Sequence, residues 1–192
     1  MDQGTTVGDV IVTALRREER LRDVPISITA VTSGGLERAG IANLRDLGNI
    51  TPGLVFTGQA GLGSPTIRGI QSTLGQAGAE TPTSIYLDGV YQPNIAANVL
   101  DIADIEQVEV LKGPQGTLFG RNATAGAINI RTVDPSFDFR GEATISDGIY
   151  FGGGARTSHD VTAKGYVAGP LAGDWLAGSL SGYYEYVQGY LT

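Results

Sequence analysis

Polar and apolar residues alternate with a period of two in a series of separate runs along the chain. Ile26, Ile28 and Ala30 alternate with Ser27, Thr29 and Val31, the pattern of a half-buried strand. Further runs predict strands: LVF at Leu54 to Phe56, TIRGI at Thr66 to Ile70, SIYLDGV at Ser84 to Val90, VEVL at Val108 to Leu111 and AINIRT at Ala127 to Thr132. Two short helices are predicted between the first strand and these. Ser33 is placed to cap one that runs through Arg38 and stops at Gly40. Asn43 is placed to cap another, in which Leu44, Leu47 and Ile50 share a face and Thr51 to Gly53 end the turn. The loops after Thr57, Gln71 and Tyr91 are long and rich in Gly, Gln, Ala and Asn, and long ordered loops in a compact domain usually bind something. The pattern predicts a small α+β unit, a mixed sheet with short helices and long loops, closing near Val133.

Beyond Asp134 to Phe139, read as a linker, the alternating runs lengthen. Arg140, Glu142, Thr144 and Ser146 alternate with Phe139, Gly141, Ala143 and Ile145. Arg156, Ser158, Asp160, Thr162 and Lys164 alternate with Thr157, His159, Val161, Ala163 and Gly165. A looser run from Trp175 ends in Tyr183, Tyr184, Tyr186 and Tyr190. Three runs of about ten residues match the weak signature of transmembrane β-strands, with tyrosines at the interface. A soluble antiparallel meander produces the same periodicity, so the pattern leaves both open. Three strands cannot close a barrel.

The first 24 residues hold a small polar lead, the apolar patch Val10 to Ala14 and the charged run Arg16 to Asp23, which reads as a flexible arm with a solvated charge cluster. No basic start precedes an apolar core of roughly 7–15 residues, so no signal peptide is expected. No apolar run reaches about 18 residues, so no transmembrane helix is expected, which leaves β-type membrane proteins open.

Composition narrows the chemistry. Of 192 residues, 41% are hydrophobic, 17% charged and 29 are glycine, favouring strands and turns over a helical bundle. A net charge of −7 argues against a nucleic-acid surface. There is no cysteine, and the single His159 cannot build a multi-histidine metal site. GPQGTLFGRN, Gly113 to Asn122, lacks the Gly-Lys-Ser/Thr ending of a phosphate loop. Asp88 precedes Gly89 after an alternating run and reads as a hairpin turn and not as an acid or base. Glu106 and Glu109, three apart on a strand, point to opposite faces and do not form a carboxylate pair. The Asn122–Ala123–Thr124 triplet is read as a chance match to a glycosylation site. No nucleophile, base and orienting group assemble, so neither an enzyme nor a cofactor or metal site is expected.

The ordered set PIS (Pro25 to Ser27), LRDLGNITPGL (Leu44 to Leu54), IRG (Ile67 to Gly69), IYLDGVY (Ile85 to Tyr91) and IEQVEVLKGPQGTLFGRNATAGAINIRT (Ile105 to Thr132) resembles the plug domain of TonB-dependent outer-membrane receptors over roughly residues 9–133. The remaining residues look like the opening strands of that family's barrel. The resemblance implies an arm over 1–24, a plug over 25–133, and the first strands of an incomplete transmembrane β-barrel over 134–192. It implies a plug inside a barrel of about 22 strands, with the arm in the periplasm. It also implies energy-coupled uptake of a scarce nutrient, an iron–siderophore complex by default, with cobalamin, glycan or aromatic-compound uptake behind it. The partners implied are TonB with its inner-membrane complex, the cargo and outer-membrane lipid.

Particular residues follow from the resemblance. Asp9, Val10, Ile11, Val12, Thr13 and Ala14 are similar to the TonB box, an extended segment that adds as a strand to a partner's sheet. Arg68, Glu106, Glu109 and Lys112 match positions of a charge cluster latching plug to barrel. Lys112 stands where arginine is more usual, and offers a point charge in place of a planar fork. Ala125 stands where glycine is common. The loops at about 58–65, 71–81 and 91–99 resemble the apices facing the substrate, and carry Gln59, Gln76, Glu80, Gln92, Asn94 and Asn98. Within the sheet corner, Gly113 and Gly116 are expected to supply turning freedom, Pro114 to fix the entry, and Gly120 and Gly126 to permit close backbone approach. The missing signal peptide and incomplete barrel suggest a partial or a processed sequence. The rival is a soluble periplasmic β-rich binding module with a plug-like fold, distinguished by residues 139–192 covering their own apolar face.

Overall fold

Alternation becomes strand pairing at most of the expected runs; the one expected over Thr66 to Ile70 is instead a strand over Ser64–Ile67 that turns at Arg68 and Gly69. The computed structural model describes residues 10–13, 17–41, 43–57, 64–71, 81–93, 104–120, 122–151 and 157–187. The chain divides into two units, Met1–Leu100 with Ile105–Thr132, and Asp101–Asp104 with Val133–Thr192.

The first unit opens with a hairpin of two-residue strands, β1 (Ile11–Val12) and β2 (Glu19–Arg20), antiparallel to each other. β3 (Ser27–Thr32) leads into α1 (Ser33–Arg38). Because β3 continues through Thr32, Ser33 is the first helical residue and not the cap; the N-cap is Thr32, whose side chain makes no capping bond. Asn43 does cap the next turn: its side chain accepts from the Arg45 and Asp46 amides, and Asp46 reciprocates to the Asn43 amide. That 3-10 turn, Leu44–Asp46, runs into α2 (Leu47–Ile50). β4 (Leu54–Thr57) and β5 (Ser64–Ile67) form a separate antiparallel pair. β6 (Thr83–Leu87), β7 (Val90–Tyr91), β8 (Ile105–Lys112) and β9 (Gly126–Thr132) complete the main sheet, in the order β3-β8-β9-β6-β7. Only β6 and β9 pair in parallel; the other neighbours are antiparallel. A one-turn helix, α3 (Gly116–Phe119), sits between β8 and β9.

Register sorts this sheet into two faces. Val31, Val108 and Ile130 lie in one cross-strand row and Thr29, Val110 and Ile128 in the next, on the same face. Val108, Val110, Ile128 and Ile130 are buried, as are Leu36, Leu44, Leu47, Leu54 and Ile67 from the other elements. A Cβ on Gly35 of α1 would stand 3.0 Å from Val31, so α1 packs on this face. The opposite face carries Leu111, Ala127 and Tyr86, packed with Phe119 and Ala123. The Tyr86 hydroxyl donates to the Phe119 carbonyl, and the two rings meet edge to face at 5.0 Å.

Asp88 and Gly89 form the expected two-residue turn between β6 and β7, with φ of 47° and 79°. The Asp88 carboxylate accepts from the Thr132 amide and hydroxyl at 2.9 and 2.8 Å, a structural role. The sheet corner departs from expectation at two glycines: Gly120 takes a positive φ of 80° but has nothing within 4 Å of an added Cβ, so it serves a turn and not a close approach. Gly113, at φ 115°, turns the chain, but Gly116 opens a helical turn and has no positive φ.

The second unit is an antiparallel sheet of β10 (Arg140–Phe151), β11 (Thr157–Ala172) and β12 (Leu176–Val187), in that order. Its register puts Gly141, Val167 and Leu180 in one row and Ile145, Ala163 and Tyr184 in another, all on one face. Ile145, Val167, Leu180, Tyr184 and Tyr186 are exposed there. Glu142, Thr144, Thr162, Lys164, Ser179, Ser181 and Glu185 take the other face. No helix among the described residues is long and apolar enough to cross a membrane.

Candidate functional site: a docked amino-terminal strand and a cation pair

The apolar patch near the start is not a free arm. Val12 is fully buried, while Ile11 on the alternate face is 43% exposed. Two valines separated by one residue place their side chains together, and burying one stabilises the docked hairpin by about 1.5–3 kcal/mol. The charged run after it is partly paired: Arg17 meets Glu19 at 2.6 Å, and Glu19 lies in β2.

The hairpin rests on polar side chains of the sheet. Glu109, wholly inaccessible to solvent, accepts from the Thr13 amide at 2.7 Å, from the Thr13 hydroxyl at 3.2 Å, from Gln107 Nε2 at 3.0 Å and from Asn129 Nδ2 at 3.2 Å. Gln107 Nε2 also donates to the Ile11 carbonyl at 3.0 Å, and Asn129 Nδ2 to the Thr13 hydroxyl at 3.3 Å. A buried carboxylate is tolerated when its lone pairs are filled, and here half of the filling comes from the amino-terminal segment. The geometry follows from strand alternation. Gln107 and Glu109 are two apart on β8, and Asn129 is opposite Glu109 on β9.

The four residues of the expected charge latch are split between three places. Arg68 and Lys112 come together: Arg68 Nη1 is 3.8 Å from where a Cβ on Gly113 would stand, beside Lys112. Burial, and then the Arg68 charge, hold the Lys112 ammonium below the ordinary lysine range. Arg68 occupies a left-handed backbone position, φ 53°, with Gly69 at 79°, and its amide donates to the Gly53 carbonyl at 2.8 Å. An arginine there costs of order 1 kcal/mol, so the turn holds its side chain at some expense. Among the described residues neither cation has a carboxylate within ion-pair distance. Glu106 instead pairs with Arg131 at 2.9 Å on the solvent side, and Glu109 faces the amino-terminal strand.

The lowered Lys112 value has a stability consequence. The unfolded chain binds more protons than the folded one between the lowered value and the ordinary one of about 10.4, so stability rises with pH across that window and the penalty persists below it. Lys112→Met is expected to remove that alkaline rise and to stabilise the chain at neutral pH by up to about 1 kcal/mol, because solvent screens a partly exposed pair. Denaturant midpoints of both proteins between pH 7 and 11 are the check.

Of the expected apical residues, Gln92 extends the β6–β7 hairpin, its amide donating to the Ile85 carbonyl at 2.9 Å. Tyr91 receives a hydrogen bond from Asn122 at 3.0 Å. Gln59, Gln76, Glu80, Asn94 and Asn98, like Asp9 and Ala14, lie outside the described residues. The sequence analysis missed Gln107 and Asn129. Their signal was a polar residue flanked by apolar ones or by the buried carboxylate: Gln107 two residues before Glu109 on the same face of β8, and Asn129 between Ile128 and Ile130 in β9. Among the described residues no cluster of three or more His, Asp or Glu could hold a metal.

A small mixed sheet carrying its own amino-terminal strand, with an open three-stranded sheet beyond it in sequence, defines a plug-type domain. Residues 20–127 match the TonB-dependent Receptor Plug Domain family, more than half of the chain, and the chain belongs to that family. It is 31% identical over 176 residues to the pesticin receptor of Yersinia pestis, covering 90% of this chain and 24% of that receptor. It is 35% identical over 132 residues to the catecholate siderophore receptor Fiu of Escherichia coli K12, covering 66% and 16%. Its structure resembles the ferric yersiniabactin uptake receptor FyuA from Yersinia pestis, with TM-score 0.62 and 29% identity over 81% of this chain and 23% of that one. The fold is also that of the pyoverdine outer membrane receptor FpvA from Pseudomonas aeruginosa PAO1, with TM-score 0.72 and 20% identity over 99% and 26%. The chain spans about a quarter or less of the length of these relatives. All four are receptors, one of them an uptake receptor and one an outer-membrane receptor, and no catalytic family is indicated.

Proposed function

We propose that the chain is the amino-terminal part of an outer-membrane receptor that takes up an iron–siderophore complex, with energy delivered by TonB. Residues 1–24 then form the partner-binding arm, 25–133 the plug and 134–192 the first barrel strands. The observation that carries this reading is the second unit's two-faced sheet, in a chain whose first unit is a plug. Its apolar face is left uncovered, with Ile145 78% and Leu180 73% exposed. In a soluble module a face this apolar left in water is a solubility liability. Eight residue steps lead from Phe139 to Asp147, where the face meets the Asp147–His159 pair. That is about 27 Å of strand, or about 21 Å along the membrane normal at a ~40° tilt, close to the ~25 Å apolar band of outer-membrane barrels.

The cargo assignment is supported by the relatives, several of which are receptors for siderophores or their ferric complexes. One similar protein is a vitamin B12 transporter, which makes cobalamin the alternative. Arg68 and Lys112, held side by side with no carboxylate at ion-pair distance among the described residues, suit a latch to acidic groups on the barrel wall, a contact that can break and reform with little net change in stability. Loops 58–65, 71–81 and 91–99 are the proposed cargo-facing apices.

Deleting residues 9–14 from the intact receptor tests the transport reading. Uptake of radioactive iron as the siderophore complex is expected to fall to the level of de-energised cells, while binding of the complex at the cell surface is retained. Unchanged uptake would contradict the assignment.

A further inference from the structure

The backbone of β1 has two edges, and they are satisfied differently. In an antiparallel pair, alternate residues turn their N–H and C=O toward the neighbour. The Val10 carbonyl accepts from the Leu21 amide at 2.8 Å, and Val12 is opposite Glu19, so Val10 and Val12 face β2. Ile11 and Thr13 therefore turn their polar groups the other way, where among the described residues no strand lies alongside. Gln107 and Glu109 fill that edge instead. The Gln107 amide donates to the Ile11 carbonyl at 3.0 Å, and the Glu109 carboxylate accepts from the Thr13 amide at 2.7 Å.

We propose that Gln107 and Glu109 act as a stand-in strand, one donor and one acceptor two residues apart, and that the Ile11/Thr13 edge they cover is the one a partner's β-strand takes. This rests on the reading of residues 9–14 as the partner-binding segment. A donor and an acceptor at that spacing reproduce what an added strand offers, so the clasp and the partner compete for the same two backbone groups. The β2 edge is the less available of the two. Its bonds lie within a local hairpin that can leave the sheet intact, whereas the clasp bonds must break whenever the segment lifts. Cost falls on both sides of the clasp, since lifting Thr13 strips Glu109 of two of its four donors and leaves a buried acceptor short of partners. The segment is therefore held until something compensates that loss.

The test uses the intact receptor in detergent, wild type and Gln107→Ala/Glu109→Ala, with hydrogen exchange and binding of the soluble periplasmic domain of TonB as readouts. In the double variant, exchange in a peptide spanning residues 9–16 is expected to quicken at least about tenfold, the effect of losing one to two hydrogen bonds, while peptides covering 105–112 and 126–132 keep their protection. The TonB domain is expected to bind about tenfold more tightly. Unchanged exchange at 9–16 overturns the clasp. Faster exchange with unchanged affinity overturns the assignment of the edge. Should the double variant lose protection over 105–112, Gln107→Ala alone decides by the same criteria, since it leaves Glu109 with Thr13 and Asn129. If wild type and the 9–14 deletion bind the TonB domain equally, the partner-segment reading fails, while the exchange result still judges the clasp.

Discussion

Gly126→Ala is expected to destabilise the plug by about 3–5 kcal/mol, a size reserved for clashes and strain that a core cannot absorb. Gly126 opens β9 at φ 155°, where an added Cβ would overlap the Leu111 carbonyl oxygen and come within 2.8 Å of Ile67 Cδ1. Ile67 has some freedom to yield. The Leu111 carbonyl has none, because Leu111 sits in β8, between β3 and β9, paired with Ile28 on one side and Ala127 on the other. Against a typical total of about 5–15 kcal/mol, such a loss leaves little folded protein. Gly116→Ala is the internal control: it begins α3 and has no atom within 4 Å of an added Cβ. That change is expected to be neutral or to stabilise by up to about 1 kcal/mol, the helix preference of alanine over glycine. Denaturant midpoints of the two variants are the measurement, and similar values would refute the packing argument.

This contrast shows where sequence reasoning reached and where it stopped. Gly113, Gly116, Gly120 and Gly126 look alike in a string of letters, yet one of them opens a helix and another lies against a carbonyl from a strand 15 residues earlier. Local signals were legible because their physics is local. Asn43 and Asp46 form their capping box within four residues, and Asp88-Gly89 sets its hairpin by backbone preference alone. The strands were legible from alternation, which also separated Glu106 from Glu109 by face. Illegible were contacts between residues far apart in sequence. Thr13 meets Glu109 across 96 positions, and Asn129 reaches Thr13 across 116. Nothing near Val10 says that it docks, since a short apolar patch beside a charged run is equally the composition of a free arm. The latch shows the same limit. Resemblance grouped Arg68, Glu106, Glu109 and Lys112, but the fold assigns the two carboxylates to other partners and leaves the two cations adjacent.

The same face arithmetic bears on the second unit, where Leu180→Arg and Ser179→Arg are expected to differ sharply although the residues are neighbours. Leu180 shares its face with Ile145, Val167 and Tyr184, and Ser179 shares the other with Glu142, Thr144 and Lys164. If the apolar face meets lipid, an arginine at Leu180, about midway along β12, costs roughly 2–4 kcal/mol, whereas an arginine on the lumen side is tolerated. Folding of the intact receptor into lipid vesicles is therefore expected to be impaired by Leu180→Arg and nearly unaffected by Ser179→Arg. A soluble β-rich module predicts a different pair of results. Its exposed Leu180 would be a solubility liability, so an arginine there would improve recovery from the aqueous fraction with no loss of folding. Because one substitution moves in opposite directions under the two readings, the sign of its effect decides between lipid and water as the medium of that face.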